Sequence, residues 1–280
     1  MRRRPSLILG GAILALLPIP AFGQEARPEP PPAVTAIPPA SDFFIIPLRV
    51  HILRSEEFPE ANCGLTDADV DRILKKVNGI WHPAGIHFGL ESIVREPAEP
   101  TGRYRLARDL ALGKGDDAGR DDAPKAARRR PPRLPNGLFR MLRPEASRAF
   151  DGLHVYYVHD FDVNGVYMGS DYAFVKETAS LRPVEGGIDE PLPRVSAHEL
   201  GHALGLPHRQ DRLNLLASGT TGTGLSAAEI ERARERAATR RGVLKFADLA
   251  ADAPGLDADA RARARRARWR AEVPGAPPAP

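Results

Sequence analysis

The feature that most restricts this chain is the run His198-Glu199-Leu200-Gly201-His202-Ala203-Leu204-Gly205-Leu206-Pro207-His208, which holds three of its eight histidines. Residues four apart share one face of an α-helix, so a helix here presents His198 and His202 together. Gly205 accepts the positive φ that ends a helix, and Pro207 cannot continue one. The spacing predicts a helix from Arg194 to Leu204, then a turn that brings His208 back to the first two rings. Three neutral imidazoles are the donor set of a zinc site whose fourth tetrahedral position is open, the arrangement of a catalytic zinc. Glu199 lies one position round from the first ligand and is placed to take a proton from water at that position without binding metal. The expected chemistry is hydrolysis of a peptide bond.

The two ends of the chain differ from its middle. Residues 1–23 have the plan of an export signal: Arg2, Arg3 and Arg4, an apolar stretch from Leu7 to Leu17, and small residues at Ala21 and Gly23. The apolar stretch is short and is followed by Pro18 and Pro20, which favours cleavage over an uncleaved anchor. The mature chain is then expected to be secreted or periplasmic, with no stable membrane insertion. Removing three arginines and no acid leaves its basic and acidic residues nearly balanced, so the sequence pI of about 9.4 overstates its basicity. Nucleic-acid binding needs a concentrated basic face, and none is expected. Residues 24–41 form a Pro-rich spacer. Cys63 is the single cysteine, which excludes an intrachain disulfide and fits a buried structural thiol.

Between these ends, 42–245 read as one domain. Leu48, Val50 and Ile52 alternate with Arg49, His51 and Leu53, which predicts a strand over 43–53 with one well-buried face. Thr66 is an N-cap for a helix that buries Val70, Ile73, Leu74, Val77 and Trp81 and stops at Pro83. Ile86 to Leu90, continuing towards Val94, is a second strand, and Leu153 to Val158 is a third. Gly165 to Val175 is either an edge strand or a loop. Ser226 to Arg240 is a last amphipathic helix. Residues 97–135 lose apolar periodicity and gather charge, Gly and Pro, which predicts a mobile surface insertion. Residues 246–280 form an Ala/Arg/Pro-rich tail, read as a solvated helix.

This order of elements and the segment His198–His208 resemble the metzincin metalloproteases, and the context is similar to bacterial pappalysin- and matrixin-like members. The resemblance spans about 43–240, with His198–His208 as its diagnostic part. It implies an α+β, zincin-like metzincin domain: a twisted mixed β-sheet above a cleft, an active-site helix and a C-terminal helix. It further implies Zn2+ held by His198, His202 and His208, with Glu199 as general base, in an endopeptidase acting on protein or peptide substrates. One position departs from the family pattern. Leu216 stands where metzincins carry a methionine beneath the metal, a change that nearly conserves volume. Ser218 occupies the place of the tyrosine found in astacin-type members. Matrixins are kept latent by a propeptide cysteine, but the surroundings of Cys63 do not match that motif. The alternative function is a catalytically inactive, zinc-containing binding protein of the same fold. Leu216 favours it, and retention of Glu199 opposes it.

Overall fold

The computed structural model describes residues 36–99, 102–112, 136–250 and 260–276. The expected export signal and most of the Pro-rich spacer lie outside these residues. Among them no helix is long and apolar enough to cross a membrane.

The sheet is built on β1 (Phe44–Arg54), which pairs in parallel with β2 (Ile86–Pro97) and β3 (Leu153–Val158). Beyond β3 come β5 (Tyr172–Lys176), also parallel, and the antiparallel edge strand β4 (Gly165–Tyr167), giving the order β2-β1-β3-β5-β4. The 165–175 stretch thus holds the edge strand, as the first of the two options had it, and turns back as a short hairpin into β5. A two-residue strand, β6 (Leu244–Lys245), pairs antiparallel with the start of β1.

The first helix, α1 (Asp67–Trp81), begins with a capping box in which Thr66 Oγ1 accepts from the Asp69 N–H and the Asp69 carboxylate accepts from the Thr66 N–H. Hydrogen bonds from Thr66, with Arg72 beside them, hold the Asp69 carboxyl down at about 2. The helix buries the five apolar residues expected of it, and the turn after it ends at Gly85 with φ 62°. Alternation along β1 divides its side chains between the two faces of the sheet. Ile46, Leu48, Val50 and Ile52 face α1 and the metal-site helix, α3 (Pro191–Ala203), while Ile45 and Leu53 face the other way.

That other face is covered, which the one-faced reading of the strand did not anticipate. Two segments read as surface features supply the cover. Within the expected insertion, α2 (Gly102–Ala111) buries Tyr104 against Phe58 and Phe139, and Glu60 accepts hydrogen bonds from Tyr104 and Arg108. Its leucines, Leu106 and Leu110, are exposed, so hydrophobic periodicity gave no sign of the buried side. The remainder of the insertion, 113–135, lies outside the described residues.

The Arg-rich tail is likewise not a solvated helix. After α4 (Ala227–Ala238) and the short α5 (Phe246–Ala250), α6 (Ala260–Glu272) packs Trp269 against Phe43, Ile45, Phe246 and Val273. The indole N–H donates to Leu90 O at 3.1 Å, and a Cβ on Gly89 would lie 2.6 Å from the ring. One tryptophan and one valine, four residues apart among arginines, dock the helix.

Candidate metal centre

Helix α3 starts with Pro191 at its first position and is buried on nearly every side. Its middle passes close under α1. Gly201 faces Trp81 and Leu216, and a Cβ there would lie 3.3–3.4 Å from both side chains, while the Trp81 indole donates to Ala197 O at 3.3 Å. The helix closes with Gly205 N–H to His202 O and Leu206 N–H to Gly201 O, with Gly205 at φ 81°. This is a Schellman ending, and it reverses the chain so that His208 returns to the helix.

The three predicted ligands converge. His198, His202 and His208 each offer a ring nitrogen, all within 4.8 Å of one another. His202 Nε2 is 3.1 Å from His198 Nε2 and 3.1 Å from His208 Nε2. The opposite nitrogens fix the tautomers of two rings: His198 Nδ1 donates to Leu215 O at 2.8 Å and His202 Nδ1 to Leu206 O at 2.7 Å. Their Nε2 atoms therefore present bare lone pairs to each other, a repulsive contact that a shared cation relieves. Tetrahedral zinc with bonds of about 2.0–2.1 Å sets its nitrogens about 3.3–3.4 Å apart, so the donor set fits zinc. Burial, with Arg194 and the other two rings adding to it, pushes His198 down to about 3 despite the Leu215 hydrogen bond. Burial also lowers His202. Both rings are accordingly neutral, as metal ligands must be.

Glu199 is buried beside the edge strand. A Cβ on Gly165 would lie 2.7 Å from its Oε1, so the absence of a side chain at 165 makes room for the carboxylate. Burial pushes its carboxyl up to about 8, opposed by a hydrogen bond from the Tyr167 backbone and by Arg194.

Leu216, read above as the floor residue, is fully buried against Gly201 of α3. Its turn is held by Leu216 N–H to Asn214 Oδ1 at 2.7 Å and Leu215 N–H to Gly224 O at 2.7 Å. The buried Glu229 carboxylate accepts from Asn214 Nδ2, Arg209 Nε and the Ser226 N–H that begins α4. One carboxylate thus joins the floor turn, the chain just after His208 and the next helix. Cys63 plays no part in the metal cluster. Its buried thiol donates to Glu177 Oε2 at 3.3 Å, and burial pushes it up to about 12, the state of an unreactive structural thiol. His51, His82, His87, His154 and His159 also stand outside the metal cluster.

Sequence reasoning missed Arg194, Gly165, Tyr167 and the carbonyls of Leu206 and Leu215. Only Arg194 left a signal, since it precedes His198 by four residues and so shares its helix face.

The Matrixin family model matches residues 138–231, which include the edge hairpin, α3, the three histidines and the floor turn. No curated protein matches the chain. Among solved structures it is similar to archaemetzincin from Methanopyrus kandleri, with 17% identity and a TM-score of 0.30, covering 69% of this chain and 93% of that one. The mixed sheet, the helix that carries His198 and His202 with its returning histidine, and the Matrixin match together give a metzincin-like fold.

Proposed function

We propose that the chain is an exported zinc endopeptidase that cleaves protein or peptide substrates. The observation that carries this reading is the convergence of three imidazoles, two with Nδ1 on backbone carbonyls, next to a buried, non-ligating carboxylate. His198, His202 and His208 would hold zinc, which when bound would supply Lewis acidity to a carbonyl and to water.

The chain's own residues do the rest. The Leu215 and Leu206 carbonyls hold two rings in the tautomer that points Nε2 inward. Glu199, kept at the edge strand by the Tyr167 backbone and the open space at Gly165, accepts a proton from the attacking water on its carboxylate. It then passes that proton to the departing amine nitrogen. A buried carboxyl whose proton affinity lies near neutrality suits both transfers. Export rests on the basic, apolar and small-residue order of residues 1–23.

The deciding experiment compares wild type with Glu199→Ala by zinc content and by cleavage of a diverse peptide library. The variant is expected to keep one zinc per chain and lose about 10²- to 10⁴-fold in rate, the usual cost of a general base. Equal zinc binding with no cleavage by either protein would replace the peptidase reading with that of a zinc-containing binding protein.

A further inference from the structure

We propose that Arg194 is the positioning residue of the metal centre: a buried clamp that fastens the 214–222 turn to α3 and holds the Leu215 carbonyl against His198. The proposal rests on the metal-site reading above. Arg194 is 2% exposed and lies one helical turn before His198 on the same face. Its Nε donates to Gly222 O at 3.1 Å, and its Nη2 donates to Ala217 O at 2.5 Å and lies 3.4 Å from Asn214 O. These carbonyls belong to the beginning, middle and end of one turn.

A buried guanidinium is an expensive way to fill space. Taking the charge out of water carries a desolvation cost that an apolar side chain of similar size avoids. What the planar fork offers instead is several donors in fixed directions, able to gather carbonyls that point different ways. Leu215 lies between Asn214 and Ala217, so the clamp holds the backbone on both sides of the carbonyl that receives the His198 Nδ1–H. The Nη1 atom approaches to 3.3 Å of that same Nδ1. Since Nδ1 gives its hydrogen to Leu215, the guanidinium there covers the edge of the ring and does not compete for the bond. The turn's other ties run within itself, to α4 through Glu229, and to 182–188, where the Arg182 N–H donates to Gly219 O and the Ile188 N–H donates to Thr221 O. Arg194 adds three side-chain contacts to the single His198 Nδ1–H bond by which this turn is tied to the helix that carries His198 and His202.

Without Arg194 the backbone on either side of Leu215 loses its side-chain clamp, and the carbonyl that fixes the His198 ring orientation is held less firmly by the turn's own bonds. The loss should appear in metal affinity, because a group that orients a ligand is typically worth about 10- to 100-fold in binding. The experiment measures the zinc dissociation constant by competition with a chromophoric chelator for wild type, Arg194→Ala and Arg194→Lys, together with the melting temperature of each metal-free protein. The proposal expects about 10- to 100-fold weaker zinc binding by Arg194→Ala in a chain that is folded without metal. It also expects incomplete rescue by lysine, which cannot bridge the carbonyls, and recovery of affinity in Arg194→Ala on adding guanidinium at concentrations well below those that unfold the chain. Wild-type zinc affinity in either folded variant overturns it. Failure of both variants to fold overturns it as well, since Arg194 would then serve folding and not the metal. If wild type itself binds no zinc, the underlying metal-site reading falls, a result distinct from either of these.

Discussion

His51 and His154 lie ring to ring inside the protein, Nε2 of the first 2.8 Å from Nδ1 of the second, on the sheet face opposite the metal-site helix. Glu96 accepts the Nδ1–H of His51 at 2.7 Å, which leaves His51 Nε2 as acceptor and makes His154 the donor between the two rings. His154 Nε2 is then a buried lone pair with no hydrogen-bond partner, 3.8 Å from Asp171. Burial, helped by His51, Arg143 and Arg49, pushes His154 down to about 3, and burial lowers His51 in spite of Glu96. A histidine depressed on folding binds fewer protons in the native state, so its stabilising effect is complete above the unfolded value of about 6.5 and is lost as pH falls towards the folded value. Stability should therefore decline between pH 6.5 and 3, by up to about 1.4 kcal/mol per pH unit for each proton taken up on unfolding. Urea titrations at a series of pH values should show a shallower decline for His154→Phe than for wild type. Parallel curves would remove His154 from this account.

The space at Gly165 gives a second expectation. An added methyl group would lie 2.6–2.8 Å from Val195 Cγ1 and from Oε1 and Cγ of Glu199, so Gly165→Ala must displace the carboxylate. Zinc content should stay at the wild-type level while kcat falls by at least about 10-fold, since a misplaced base loses much of its effect. Steady-state kinetics alongside metal analysis would test this. An unchanged kcat would mean that Glu199 moves without consequence.

Metal binding should be visible as stability. Free zinc at about 100 times its dissociation constant should add about 2.7 kcal/mol to the folded state, raising the melting temperature, and a chelator should reverse the gain. His202→Ala, which removes the ligand 3.1 Å from both partners, should show no such response. A zinc-dependent shift that persists in His202→Ala would place the metal elsewhere.

Trp269 should matter to stability far more than a residue on a solvated tail. The indole is 4% exposed, packs on Phe43 and Ile45, and donates to Leu90 O. Trp269→Ala is expected to cost about 3–5 kcal/mol in denaturant unfolding while zinc stoichiometry is retained. A change below about 1 kcal/mol would return α6 to the solvent.

What could be read from the chain was whatever its local pattern determines. The capped helix α1 shows in Thr66 and the spacing of Val70 to Trp81, and the histidine cluster shows in the interval from His198 to His208. The hidden parts depend on contacts between distant segments. Arg49 and His51 on β1 look like residues of a solvated face, and only the arrival of 136–150 encloses them: Arg49 donates to Ser147 O, and Ser147 donates to Glu96. Arg194 resembles an ordinary helix arginine until the turn twenty residues later folds beneath it. The backbone carbonyls that set the tautomers of His198 and His202 have no sequence signature at all, because every residue type supplies one.

The docking of α6 also bears on how the chain is made. Trp269 and Val273 complete a core begun by Phe43 and Ile45, so the opening strand of the domain gains its outer partner from residues synthesised long after it. A chain emerging from its N-terminus can form α1 and pair the first strands early, but this core closes only when the final turn of α6 has been released. Until then an apolar strand face waits uncovered, and the interval of greatest exposure to aggregation falls between synthesis of β1 and the arrival of α6.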